Sequence, residues 1–167
     1  TLHYAGWKKG VGFAGIIFLA GYFSLTEGQY QNGLEVISNE GFAELKGKNV
    51  GVVINHTSVN QNGDHLLKLA HDKGVRIKAV FTPEHGFKGV AGAGENVEDG
   101  VESLTGAPIY SLYGKTKKPT TEMLSEIDIL VFDMQDIGVR YYTYVSTMTY
   151  VMESAADNQI KLIILFR

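Results

Sequence analysis

The chain has 167 residues, 15 basic against 18 acidic side chains for a net charge of -3, a 44% hydrophobic share, 20 glycines, 3 prolines and no cysteine. That length fits one domain with a sizeable core, and the ordinary hydrophobic share argues against intrinsic disorder. The absent cysteines exclude a disulfide framework, a thiolate zinc site, a cysteine nucleophile and a lipid anchor on cysteine. The mild acidity argues against a nucleic-acid partner, which would call for a basic patch.

In chain order, Lys8 and Lys9 are the only lysine, arginine, aspartate or glutamate residues before Glu27, and an uncharged apolar stretch follows them over residues 11–25. A positive segment ahead of an apolar one is the layout of a secretory signal, although a full bilayer span needs about 20 residues. Residues 1–26 are therefore expected to be a signal peptide or membrane anchor, placing the rest outside the cytoplasm, periplasmic or secreted. The rival assignment, a buried core helix, is weakened by Gly12, Gly15 and Gly21 and by the lack of an amphipathic period. Residues 27–44 read as a polar linker, and 45–167 as the folded domain.

Within that domain, residues 49–55 (NVGVVIN) form a β-branched apolar run typical of a buried strand. A helix is expected over 64–73, ending at Gly74, with His65 and His71 facing solvent. Strands follow at 76–82, 108–112 and 127–133, then a helix at 144–156 from the three- and four-residue spacing of Tyr144, Val145, Met148, Val151, Met152 and Ala155. A last strand spans 161–165. Apolar strands alternating with helices predict an α/β doubly wound domain whose mainly parallel sheet is covered on both faces.

Such sheets bind ligands beyond the carboxyl ends of their strands. That rule selects Asn55, His56 and Thr57 after the first strand, Thr82, Glu84 and His85 after the second, and Asp133, Gln135 and Asp136 after the strand at 127–133. Residues 83–95 carry Gly86, Gly89, Gly92 and Gly94, so this backbone is able to approach a ligand closely. Residues 133–144 add Arg140, Tyr141, Tyr142 and Tyr144; tyrosines suit stacking on sugar rings, or packing between sheet and helix.

Familiar cofactor motifs fail. Val97 stands where a dinucleotide fingerprint beginning at Gly92 needs its third glycine, and Ile109 where a phosphate loop ending in Gly114-Lys115-Thr116 needs its first. No HExxH zinc motif occurs. No cofactor and no metal are therefore assigned, with a hydrolytic metal held by His56, His85 and Asp133 kept as a rival. Glu84, Glu95, Asp133 and Asp136 are available as the carboxylate pair that glycoside cleavage uses. Glu84 is the best single candidate, because Phe81 and Phe87 nearby would desolvate it and raise its pKa toward that of an acid catalyst.

The segments VVINHTSV at 52–59, FTPEHGFKG at 81–89, AGE at 93–95, TGAPIYSLYG at 105–114 and the long block 128–155 resemble the DUF1343 family of NamZ-type exo-β-N-acetylmuramidases. The resemblance runs from about Leu45 onward. It implies a bacterial extracytoplasmic enzyme that removes N-acetylmuramic acid from the non-reducing end of peptidoglycan fragments. It also implies a Rossmann-like domain followed by a smaller C-terminal domain, absent here, across a catalytic cleft. By the same resemblance, Glu84 of PEHG is the catalytic glutamate and Glu95 of AGE its partner. Arg140, presented with Asp133, Gln135 and Asp136, is expected to pair with the lactyl carboxylate of muramic acid, unless it bonds those aspartates structurally. Asn55, His85, Tyr141 and Tyr142 complete the expected substrate contacts. A non-catalytic glycan-binding domain of the cell envelope is the other rival.

Overall fold

The computed structural model describes residues 31–83, 100–139 and 143–166. Its strands are β1 (Asn49–Ile54), β2 (Arg76–Thr82), β3 (Gly100–Val101), β4 (Pro108–Ser111), β5 (Ile129–Asp133) and β6 (Lys161–Ile164). They form one sheet in the order β3-β4-β2-β1-β5-β6. All neighbours are parallel except the short β3, which pairs antiparallel with β4. With β3 set aside, the parallel strands run third, second, first, fourth, fifth, which is the doubly wound order of Rossmann-like folds. The strands expected from sequence lie within two residues of these bounds.

The sheet is covered on both faces, and the pleat decides which side chains go where. Val50, Val52 and Ile54 of β1 pack with Leu34 and Ile37 of α1 (Gly33–Asn39) and with Leu66, Leu67 and Ala70 of α2 (Leu66–Asp72). Val53, Phe81, Leu130 and Phe132 face the other way. They meet Leu124 of α3 (Thr121–Leu124) and Val151 and Ala155 of α4 (Tyr144–Asp157). Alternation of period two explains this split on β1. On β2 it is broken by a shift in register, with Val50 opposite Ile77 but Gly51 opposite Ala79. The skipped Lys78 points outward to Glu126 at 3.3 Å, and Ile77 and Ala79 thereby serve opposite cores. Gly51 lies where a Cβ would come within 2.8 Å of Leu130 Cδ2, so on the α4 side Leu130 and Phe81 of the flanking strands close over a position with no side chain.

Two elements differ from expectation. The presumed linker is folded from residue 33: Asn32 and Glu35 form a reciprocal capping box, with the Glu35 N–H at 3.0 Å from Asn32 Oδ1 and the Asn32 N–H at 2.9 Å from Glu35 Oε2. Behind the cap, Leu34, Ile37, Phe42 and Leu45 enter the core of the α2 face. The segment looked polar because its buried residues are few, Leu34 and Ile37 on one face of a two-turn helix and Phe42 after it. His65 is also no solvent-facing residue, since its ring caps α2. Gly74, with φ +75°, ends that region as expected. The apolar residues 11–25 lie outside the described residues, among which no helix is long and apolar enough to cross a membrane.

Candidate active site

Strand order reverses between β1 and β5, and the crevice at that switch point is where doubly wound folds hold ligands. Ile54 sits opposite Asp133 in this pair, so the chain leaves both strands side by side. Asn55 and Asp133 are both fully buried. The pleat sends Asp133, two residues beyond Val131, toward the α2 side and Asn55 toward α4.

Strand ends carry backbone and side-chain groups that need partners once buried. Here they are satisfied by a stitch across the switch point. Asn55 Nδ2 donates to the Tyr144 hydroxyl at 2.9 Å, while Asn55 Oδ1 accepts from the Thr57 N–H at 2.9 Å and the Thr57 hydroxyl at 2.7 Å. Thr57 Oγ1 in turn accepts from the Gln135 N–H at 3.0 Å. Beneath it, the Ser58 hydroxyl donates to the Asp133 carbonyl and accepts from the Asn55 N–H at 3.2 Å. The loop after β1 is thus joined to the loop after β5 by side chains of one short segment.

This geometry sorts the residues expected from sequence. Asn55 is a bracket whose amide bonds the chain itself. Gln135 and Asp136 are exposed on the crevice rim. Asp136 Oδ1 accepts from the Gly138 N–H at 2.6 Å in an Asx turn, and Gly138 then takes a positive φ of +73°. Thr82 ends β2 beside Ser111 of β4, fully buried, and its hydroxyl has no hydrogen-bond partner among the described residues. His56 is exposed, and among the described residues no three His, Asp or Glu side chains gather as a metal-binding group. Glu84, His85, Glu95, Arg140, Tyr141 and Tyr142 lie outside the described residues.

Sequence reasoning selected Thr57 at the strand end and Tyr144 among the loop tyrosines without the bonds they make, and it missed Ser58 and His65 as parts of this arrangement. Short hydroxyl side chains directly after a strand are suited to bonding loop backbone, which was the available signal for Thr57 and Ser58. Tyr144 was placed among the packing residues of α4, yet a buried phenol needs a polar partner. Beside the crevice, a pocket of about 170 Å³ is lined by Phe132, Met134, Asp136, Tyr144, Leu165 and Phe166. A wider groove of about 590 Å³ lies at the opposite end of the sheet, around Arg76, Lys78, Tyr110 and Met123.

The family profile described as "Exo-beta-N-acetylmuramidase NamZ, N-terminal" matches residues 50–167. "Peptidoglycan beta-N-acetylmuramidase NamZ" of Bacillus subtilis (strain 168) is 44% identical over 138 residues, covering 82% of this chain and 33% of that protein. Two crystal structures of DUF1343 family proteins from Bacteroides fragilis NCTC 9343 share the fold. One has a TM-score of 0.74 at 44% identity and the other 0.67 at 35%, each over 82% of this chain and 34% of its own. The chain spans about a third of the length of these relatives. The profile match over most of its length shows that the chain belongs to the NamZ family and corresponds to its N-terminal region.

Proposed function

We propose that the protein carrying this chain is an exo-acting glycosidase that releases N-acetylmuramic acid from the non-reducing end of peptidoglycan fragments, and that the crevice between β1 and β5 is part of its substrate site. The observation that carries this is the 44% identity to a peptidoglycan β-N-acetylmuramidase over a span that includes every strand end of the crevice. Glu84 serves as general acid toward the leaving oxygen, with Glu95 as the second carboxylate. Arg140 follows the Asp136 turn in sequence and supplies the cation for the lactyl carboxylate, with His85, Tyr141 and Tyr142 against the sugar. Asn55, Asp133 and Gln135 keep the two strand-end loops in register beneath it. Lys8 and Lys9 ahead of the apolar residues 11–25 support an extracytoplasmic location, with that segment as export signal or tether. Fractionation of cells into cytoplasm and envelope checks this, and a purely cytoplasmic pool would refute it.

The test uses the protein at its full natural length and two disaccharides, one with N-acetylmuramic acid and one with N-acetylglucosamine at the non-reducing end. Cleavage of the first alone is expected; no cleavage of either overturns the activity, and equal cleavage overturns the selectivity. Arg140→Ala should lower kcat/KM on the muramic substrate by about 10- to 100-fold, the scale of one charge-assisted hydrogen bond. Wild-type kcat/KM in Arg140→Ala would remove Arg140 from the recognition role.

A further inference from the structure

The loop that carries Thr57 is closed at its far end by His65. Leu66 N–H donates to the Ser58 carbonyl at 2.8 Å, and Val59 bridges antiparallel to His65. The His65 ring binds at both nitrogens: Nδ1 accepts from the Leu67 N–H at 3.3 Å, and Nε2 lies 2.9 Å from the Asn55 carbonyl oxygen. A nitrogen that accepts a hydrogen bond carries no proton, so the proton sits on Nε2 and is donated to Asn55. The same carbonyl also accepts from the Ser58 N–H at 3.1 Å. Asn55 is consequently held on its carbonyl by His65 and Ser58, and on its side chain by Thr57 and Tyr144. Helix capping alone would need only Nδ1, and a serine, threonine or asparagine performs it. The second nitrogen reaches the residue that stitches β1 to β5.

We propose that His65 is a positioning residue of the active site. Through the Asn55 carbonyl it fixes the loop whose Thr57 hydroxyl holds the Gln135 backbone, and so sets the geometry of the crevice rim on which substrate is oriented. Small displacements at such a rim are costly to turnover, of the order of a hundredfold for about 1 Å. The inference rests on the proposed glycosidase activity, but its geometry can be measured without it.

Two substitutions separate the two nitrogens. In His65→Asn the amide oxygen occupies the place of Nδ1, which keeps the cap, while the side chain at 65 no longer reaches the Asn55 carbonyl and leaves it to the Ser58 N–H alone. In His65→Gln the amide nitrogen reaches the place of Nε2, while the cap is weakened. In the full-length protein, His65→Asn should keep its unfolding midpoint and lose about tenfold in kcat with little change in KM, and His65→Gln should keep kcat within about twofold at a lower midpoint. Wild-type kcat in His65→Asn, or losses of activity that follow stability in both variants, would overturn the proposal. If the wild-type protein released no muramic acid, the glycosidase activity would fail and amide hydrogen exchange would decide for His65. Faster exchange at the Gln135 N–H in His65→Asn than in His65→Gln supports the positioning role, and equal exchange in both refutes it.

Discussion

Thr82 carries its hydroxyl into the interior at the end of β2 without a hydrogen bond among the described residues. A buried polar group left so costs about 1–3 kcal/mol relative to a partnered one. Thr82→Val, nearly the same shape, should therefore leave stability unchanged or raise it by about 1 kcal/mol, read from urea unfolding at equal m. A loss of about 1 kcal/mol or more would mean that the hydroxyl is bonded in solution. Among residues, those at strand ends were legible in sequence because they are polar and directly follow an apolar run, as Asn55 and Asp133 do. Their partners were not. Nothing local distinguishes Tyr144 as the acceptor for Asn55, 89 positions away in sequence, because the contact exists only once α4 is laid across the sheet.

Among elements, the long apolar strands, α2 and α4 could be read from their apolar patterns, whereas α1, α3 and β3 could not, since α1 buries only Leu34 and Ile37 and the four and two residues of α3 and β3 carry too little of any period. The sign of α1 was its capping box, Asn32 with Glu35, rather than its hydrophobicity. This helix is pressed on the chain end after β6: the Gly33 N–H donates to the Phe166 carbonyl at 2.6 Å, and a Cβ on Gly33 would come within 2.6 Å of Leu165 Cα. Backbone cannot yield there as a flexible side chain would, so Gly33→Ala should destabilise by about 1–3 kcal/mol. Gly33→Ala with wild-type stability would show that α1 is not seated on this segment.

The β3–β4 connection holds a second element-scale device. Glu102 is buried, which by itself favours its protonated form. The N–H groups of Leu104 and Thr105, at 3.0 and 2.7 Å, and the Thr105 hydroxyl at 2.7 Å outweigh that and hold its carboxyl below the ordinary range. With the folded pKa lowered, the stabilisation is present above the unfolded value of about 4.3 and is lost as pH falls through the folded pKa. Glu102→Gln should accordingly be less stable than wild type at pH 7, and the difference should shrink at about pH 3. A difference that is the same at both values would contradict this.

At the scale of the molecule, strand order turns scattered motifs into one place. Alternating apolar runs were enough to predict a doubly wound sheet, and the observed order puts the reversal between the two strands whose ends bear the most polar residues. The order itself was not legible, because the parallel pairings join residues up to 79 positions apart. The relatives are about two and a half times as long as the chain, which contributes the β1–β5 side of the proposed substrate site. The central claim is that this side belongs to an acid-catalysed muramidase, and the most direct test compares the full-length protein with its Glu84→Gln variant on a disaccharide bearing N-acetylmuramic acid at the non-reducing end. The wild type should release free N-acetylmuramic acid, and the variant should keep its unfolding midpoint while kcat falls by about 10²- to 10⁴-fold. No release by the wild type, or turnover by Glu84→Gln at the wild-type rate, would contradict the account.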